Sequence, residues 1–130
     1  MSRIEHAALF TRDLAGLRAF YEEALGLRVV LDNSKATPPG VFLADDRGTA
    51  VELIERPPGS AAVDTRYVCH IAFLVDDFAA ARSALEGRGV AFEAETAIET
   101  DSFRTAFFRD PSGNRLQIVW RARPLVPTGG

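Results

Sequence analysis

Cysteine is all but missing from this sequence: Cys69 stands alone among 130 residues. No disulfide can close within the chain, and so low a count suits a reducing cytoplasm. Histidine is nearly as scarce, with His6 and His70 the only two. No apolar run approaches the ~20 residues that cross a bilayer. The opening Met1-Ser2-Arg3-Ile4-Glu5-His6 lacks the apolar stretch of a signal peptide. Surplus positive charge is missing as well: 15 Lys and Arg against 18 Asp and Glu leave a net charge of −3. Without a basic stripe, nucleic acid is not an expected partner, and neither is a membrane. What is present is ordinary for a globular protein, 47% hydrophobic and 25% charged residues. The expectation is one cytoplasmic domain spanning residues 1–130, large enough to bury a core without staples.

The chain repeats itself. At a shift of 64, His6 falls on His70, Ala8 on Ala72, Asp13 on Asp77, Arg18 on Arg82 and Glu22 on Glu86. Apolar positions follow: Leu9 with Phe73, Leu14 with Phe78, Tyr21 with Leu85. At a shift of 65, Ala44-Asp45-Asp46-Arg47-Gly48 lies on Arg109-Asp110-Pro111-Ser112-Gly113, and Val51-Glu52-Leu53-Ile54 lies on Leu116-Gln117-Ile118-Val119. Chance matches drift in offset, whereas these two stretches hold nearly the same one. The reading is a duplication, with one repeat over residues 4–55 and a second over 67–121.

Each repeat has the same grammar. In the first, residues 3–10 are apolar and β-rich, Asp13 caps a helix carrying Leu14, Leu17, Tyr21, Ala24 and Leu25 at helical spacing, and Gly26 stops it. Residues 27–31 read as a strand. Residues 40–44 and 49–55 form a hairpin around the Asp45-Asp46-Arg47-Gly48 turn. The second repeat gives strands at 67–75, 90–93, 103–109 and 115–121, with a helix from Phe78 to about Glu86. Arg56-Pro57-Pro58-Gly59-Ser60 has linker composition, and residues 122–130 form a Pro/Gly-rich tail. Like repeats usually pack about a pseudo-twofold axis. The expected class is therefore α+β: two βαβββ modules forming a cupped, mixed, strongly curved sheet with its helices outside.

The two histidines occupy equivalent positions of the two repeats. Glu52 and Gln117 form a second equivalent pair, each flanked by apolar residues. A carboxylate in an apolar strand is costly unless it is paired or binds a metal. Side chains alternate along a strand, so His6 shares a face with Ala8, and Glu52 with Ala50 and Ile54. Two imidazoles and a carboxylate suit a divalent first-row ion with open positions, and Gln117 would add a weak fourth ligand. The bland alternative, a polar crevice lined by Glu52 and Gln117, stands beside the favoured metal reading. Asp13 and Asp77 read as helix N-caps. Asp110-Pro111-Ser112-Gly113 reads as a turn, and Cys69 as a small core residue. Phe103, Phe107, Phe108 and Trp120 read as core, and Arg104 as part of a solvated strand face.

The segments IEHAALFTRDLAGLRAFYEEALGLRVV, AVELIE, HIAFLVDD and FRDPSGNRLQIV together resemble the vicinal oxygen chelate superfamily, which holds glyoxalases, bleomycin-resistance proteins and ring-cleaving dioxygenases. The resemblance covers about Ile4 to Trp120 and implies paired βαβββ modules cupped around a metal. It also implies metal ligands on the first and fourth strands of each module, which here are His6, Glu52, His70 and Gln117. Most catalytic relatives carry Glu where this chain has Gln117, so Glu52 is the only carboxylate of the four and the expected catalytic residue.

Three functions follow from that resemblance. The first is a glyoxalase-like, metal-dependent lyase or isomerase acting on a small oxygen-chelating substrate, its cofactor a divalent ion among Fe, Zn, Ni, Mn and Co. The second is an Fe(II)-dependent dioxygenase built on the same residues. The third is a metal-free protein that sequesters an antibiotic. A homodimer is expected in each case, and residues 56–66 are long enough for modules to pair within or between chains.

Overall fold

The computed structural model describes residues 4–56 and 70–123. Strand β1 (His6–Thr11) is followed by helix α1 (Leu14–Glu23) and strands β2 (Arg28–Asn33), β3 (Gly40–Ala44) and β4 (Ala50–Glu55). The same order recurs in β5 (Ile71–Leu74), helix α2 (Phe78–Gly87), β6 (Ile98–Glu99), β7 (Phe103–Arg109) and β8 (Arg115–Arg121). The fold is α+β, with two helices and two four-stranded mixed sheets. One sheet has the order β1-β4-β3-β2 and the other β5-β8-β7-β6. In each, the first and last strands of the module run parallel and the other pairings are antiparallel. The expected mixed sheet is thus hydrogen-bonded module by module. Cys69, the linker from Pro57 onward and the tail from Pro124 lie outside the described residues. Contacts group the described chain into two units, residues 4–56 with 110–114, and residues 70–109 with 115–123.

In the first unit, the Asp13 carboxylate accepts the Gly16 N–H at 3.0 Å and satisfies one of the free donors of the first turn of α1. A Cβ at Gly16 would stand 2.2 Å from that carboxylate, so the cap and the glycine belong together. The helix buries Leu14, Leu17 and Tyr21, and the sheet buries Val41, Leu43, Val51 and Leu53. Register puts these four strand residues on one face, since Val41 pairs with Leu53 and Leu43 with Val51. Each such side chain contributes about 1.5–3 kcal/mol of transfer free energy. Residues 110–114 belong to this unit through hydrogen bonds. Asp110 is buried and accepts from the Tyr21 hydroxyl at 2.9 Å and from the backbone N–H of Ser112 and Asn114 at 2.9 Å each. Ser112 Oγ meets Thr11 Oγ1 at 2.7 Å, and Asn114 Nδ2 donates to Phe10 O at 3.2 Å. The Asp110-Pro111-Ser112-Gly113 segment is therefore a turn, as its composition requires, and it also anchors structure. Its repeat partner Asp45 accepts from Arg47 N and Thr49 N in the same way.

The second unit repeats the plan. Asp77 caps α2 by accepting from Ala80 N at 3.0 Å. Phe78 and Leu85 are buried on the helix, and Ala106, Phe108, Leu116 and Ile118 on the sheet. One element departs from expectation. Residues 90–93 are not a strand, and the short strand β6 forms later, at Ile98–Glu99. A single backbone bond, Glu93 N–H to Phe107 O at 2.8 Å, ties residues 90–93 to the sheet. Side chains hold the stretch instead: Phe92 packs on Phe108 and under Arg82, with Arg82 5.0 Å from the ring centre, and Glu93 binds Arg115. The apolar run Val90-Ala91-Phe92 suggests a ladder, but tertiary side-chain anchors take its place.

Candidate metal centre

Strand register decides which side chains can meet. His6 pairs with Ala50 and Ala8 with Glu52 across the parallel β1–β4 ladder, so His6 and Glu52 share a face. That face is opposite the one bearing Val41, Leu43, Val51 and Leu53. His6 Nε2 stands 3.6 Å from Glu52 Oε1, with the two side chains 35% and 24% exposed. Glu52 is half-buried on the face of β4 that it shares with Ala50 and Ile54, opposite its neighbours Val51 and Leu53. On the other side of the ring, His6 Nδ1 lies 2.9 Å from Glu5 Oε1. That carboxylate can only accept, so the contact calls for the proton on Nδ1, and Nε2 stands toward Glu52. Phe42 meets the imidazole edge-on, with ring centres 5.1 Å apart and planes at 80°.

The second module reproduces this pattern. His70 immediately precedes β5, and Gln117 pairs with Ala72 two residues on, which sets both side chains on one face. Phe107, the repeat partner of Phe42, meets His70 with centres 5.1 Å apart and planes at 84°. Gln117 Nε2 donates to Thr105 Oγ1. The Arg115 guanidinium lies 3.8 Å from the centre of the Phe107 ring. It also makes a two-pronged bond to Glu93, Nε to Oε2 at 2.9 Å and the second nitrogen to Oε1 at 3.0 Å. Hydrogen bonding to Arg115 holds the Glu93 carboxyl below the usual range, and the same contact raises the Arg115 guanidinium.

The aromatic residues divide between faces. Phe108 is core. Phe107 and Phe103 lie on the same face as Gln117, Phe103 under Arg121 at 4.7 Å. Arg104 lies over Trp120 at 5.2 Å on the opposite face from Gln117. Sequence reading passed over Glu5, Thr105, Arg115 and Glu93. A shift of 65 does relate Phe42 to Phe107, so the ring contacts were accessible from the repeat. The Glu93–Arg115 pair, 22 residues apart in the chain, left no local signal.

The donor types fit a divalent first-row ion. Two donors bound at ~2.0–2.2 Å around a tetrahedral ion stand roughly 3.3–3.6 Å apart, and the His6–Glu52 separation of 3.6 Å matches that span. Each module offers one imidazole and one side-chain oxygen, Glu52 in the first and Gln117 in the second. Among the described residues, no three His, Cys, Asp or Glu side chains come together as one ion-holding group.

The model of the Glyoxalase/Bleomycin resistance protein/Dioxygenase superfamily matches residues 3–118. The chain belongs to this superfamily. The uncharacterized protein YaeR of Escherichia coli (strain K12) is 31% identical over 91% of this chain and 95% of its own. Lactoylglutathione lyase from Agrobacterium tumefaciens superposes with a TM-score of 0.69 at 23% identity, covering 92% of this chain and 94% of the lyase. TnmS3, an antibiotic binding protein from Streptomyces sp. CB03234, superposes with a TM-score of 0.70 at 22% identity, covering 94% and 98%. These two superfamily structures share the fold of the chain, and members commonly use divalent metals. No helix among the described residues is long and apolar enough to cross a membrane.

Proposed function

We propose that this chain is a glyoxalase-like, metal-dependent lyase or isomerase acting on a small substrate with neighbouring oxygens. The observation that carries the reading is the His6–Glu52 pair, two ligand-competent groups 3.6 Å apart on the open face of a sheet, repeated in kind by His70 and Gln117. His6 and Glu52 supply half of a coordination shell. His70 and Gln117 supply the other half, from the same chain or from a second copy in a homodimer. When bound, the ion supplies Lewis-acid stabilisation of charge on the substrate oxygens. Glu52, the only carboxylate of the four, takes a proton from one carbon and returns it to the neighbouring one. Glu5 holds the His6 ring in the tautomer that leaves Nε2 free to ligate. The single cysteine accords with a cytoplasmic setting.

A second reading rests on the rings. Phe42 and Phe107 flank the two imidazoles on partly exposed sheet faces, a surface on which a flat aromatic molecule can stack. On this reading the protein sequesters an antibiotic without a metal, as TnmS3 binds one. Elemental analysis of protein purified without chelator or nickel affinity resin separates the two. A bound divalent ion that is lost in His6→Ala, together with turnover of a 2-oxoaldehyde–thiol adduct, supports the enzyme. Iron accompanied by substrate-dependent dioxygen uptake moves the assignment to the dioxygenase branch. A metal-free protein that quenches in the presence of aromatic antibiotics supports sequestration.

A further inference from the structure

The two modules differ beside their oxygen donors. In β7 the neighbour of Gln117 is Thr105, buried at 2% exposure. Its repeat partner in β3 is Gly40, where a Cβ would stand 3.9 Å from Glu52 Oε2 and 3.2 Å from Leu53 O. Pairing makes the two positions equivalent: Thr105 faces Val119 in one ladder, and Gly40 faces Ile54 in the other. An amide therefore has a hydroxyl at its side, while at the equivalent position the carboxylate has a glycine with no side chain.

Chemistry explains the difference. A carboxylate offers two equivalent oxygens and needs no turning. An amide offers one oxygen that can ligate a cation and one NH2 that cannot, so its orientation decides its use. Thr105 Oγ1 lies 3.1 Å from Ile118 O. A carbonyl oxygen can only accept, so in this contact the Thr105 hydroxyl is the donor. With its hydrogen on that bond, Thr105 Oγ1 accepts, and the Gln117 NH2 donates to it.

We propose that Thr105 is a positioning residue, locking the Gln117 NH2 against the sheet so that the amide oxygen is presented on the His70 face as a neutral ligand for a divalent cation. This role of Thr105 rests on the metal reading proposed above. With a carboxylate in place of Gln117 the lock has nothing to select.

The test is a double-mutant cycle read by Zn2+ affinity in a competition titration, with the Gln117 side-chain NH2 resonances followed by NMR in the same proteins. Thr105→Val removes the hydroxyl at nearly constant shape, Thr105→Ala does so without the branched methyl, and Thr105→Ser keeps the hydroxyl. In the Gln117 background, Thr105→Val or Thr105→Ala weakens Zn2+ binding about 10- to 100-fold, the range of lost ligand support, and Thr105→Ser restores it. In the Gln117→Glu background the same changes leave affinity within about twofold. Equal losses in both backgrounds, as a merely structural role would give, overturn the proposal, and so does no loss in either. The NMR arm needs no metal: slow-exchanging, hydrogen-bonded NH2 signals in wild type that become fast-exchanging in Thr105→Val support the lock, and unchanged signals overturn it. If wild type binds no Zn2+ while those signals behave as expected, the metal reading falls and the amide orientation stands.

Discussion

Tyr21 donates its phenolic hydroxyl to Asp110 at 2.9 Å, joining a buried helix residue to a turn 89 positions along the chain. Burial, reinforced by the neighbouring Asp110 carboxylate, pushes the Tyr21 hydroxyl well above its ordinary range. The folded protein keeps this proton when the unfolded chain would release it. The stability contributed is complete below about pH 10, the unperturbed tyrosine value, and is lost as pH rises beyond it. Tyr21→Phe should lower unfolding free energy by about 1–3 kcal/mol at neutral pH and flatten the alkaline fall. Urea unfolding at pH 7 and at pH 10.5 checks both. A variant that keeps the full alkaline slope contradicts the assignment.

The Glu93–Arg115 pair predicts behaviour on the acid side. Its folded carboxyl titrates below the unfolded one because Arg115 binds the charged form. The stability it contributes is present above the ordinary glutamate value of about 4.3 and is lost as pH falls through the folded value. Glu93→Gln should shrink that acid-side loss and lower stability at pH 7. Arg115→Lys should mimic it, because an ammonium keeps the charge but gives up the two-pronged bond and the flat stack on Phe107. Denaturant midpoints from pH 7 to pH 3 measure this, and identical profiles for wild type and Glu93→Gln would sink it.

Metal binding is the third expectation. His6→Ala and His70→Ala should each weaken binding by at least tenfold, roughly the scale of lost ligand support. Gln117→Glu should tighten it by adding a charged oxygen. Affinity should fall on acidification, since protons compete for the ligating nitrogens and oxygens. Isothermal titration with Zn2+ reads all three. Metal content that stays the same in both alanine variants would remove the metalloprotein reading and leave antibiotic sequestration ahead.

Assembly gives the fourth. Phe10, Val30, Leu31, Leu74, Ile4 and Ile98 are all more than 40% exposed, an apolar load that association would cover. Sedimentation at micromolar concentration should return twice the 14.2 kDa chain mass, with a two-fold symmetric interface. A species at the single-chain mass alone speaks against a dimer.

Much of this molecule was legible before any fold was known, because the forces involved act within a few residues. Asp13 and Asp77 cap their helices through N–H groups three positions on. Asp45 and Asp110 close turns through N–H groups two and four positions on. The period of two along a strand placed His6 and Glu52 on faces that register then brought side by side. Other features depended on which distant groups the packed chain delivered to one another. Residues 90–93 are a short apolar run ending in Glu93, but they are held by Arg115 and Phe108, partners that composition does not name. Local sequence alone determined the caps, the turns and the paired positions of His6 with His70 and Glu52 with Gln117. Only tertiary structure decided that Tyr21 would meet Asp110, that Arg115 would lie on Phe107, and that Thr105 would stand beside Gln117. A hydrogen bond or ring contact between residues far apart in sequence forms only after the backbone has brought them within a few ångströms, and that approach depends on the packing of the whole module.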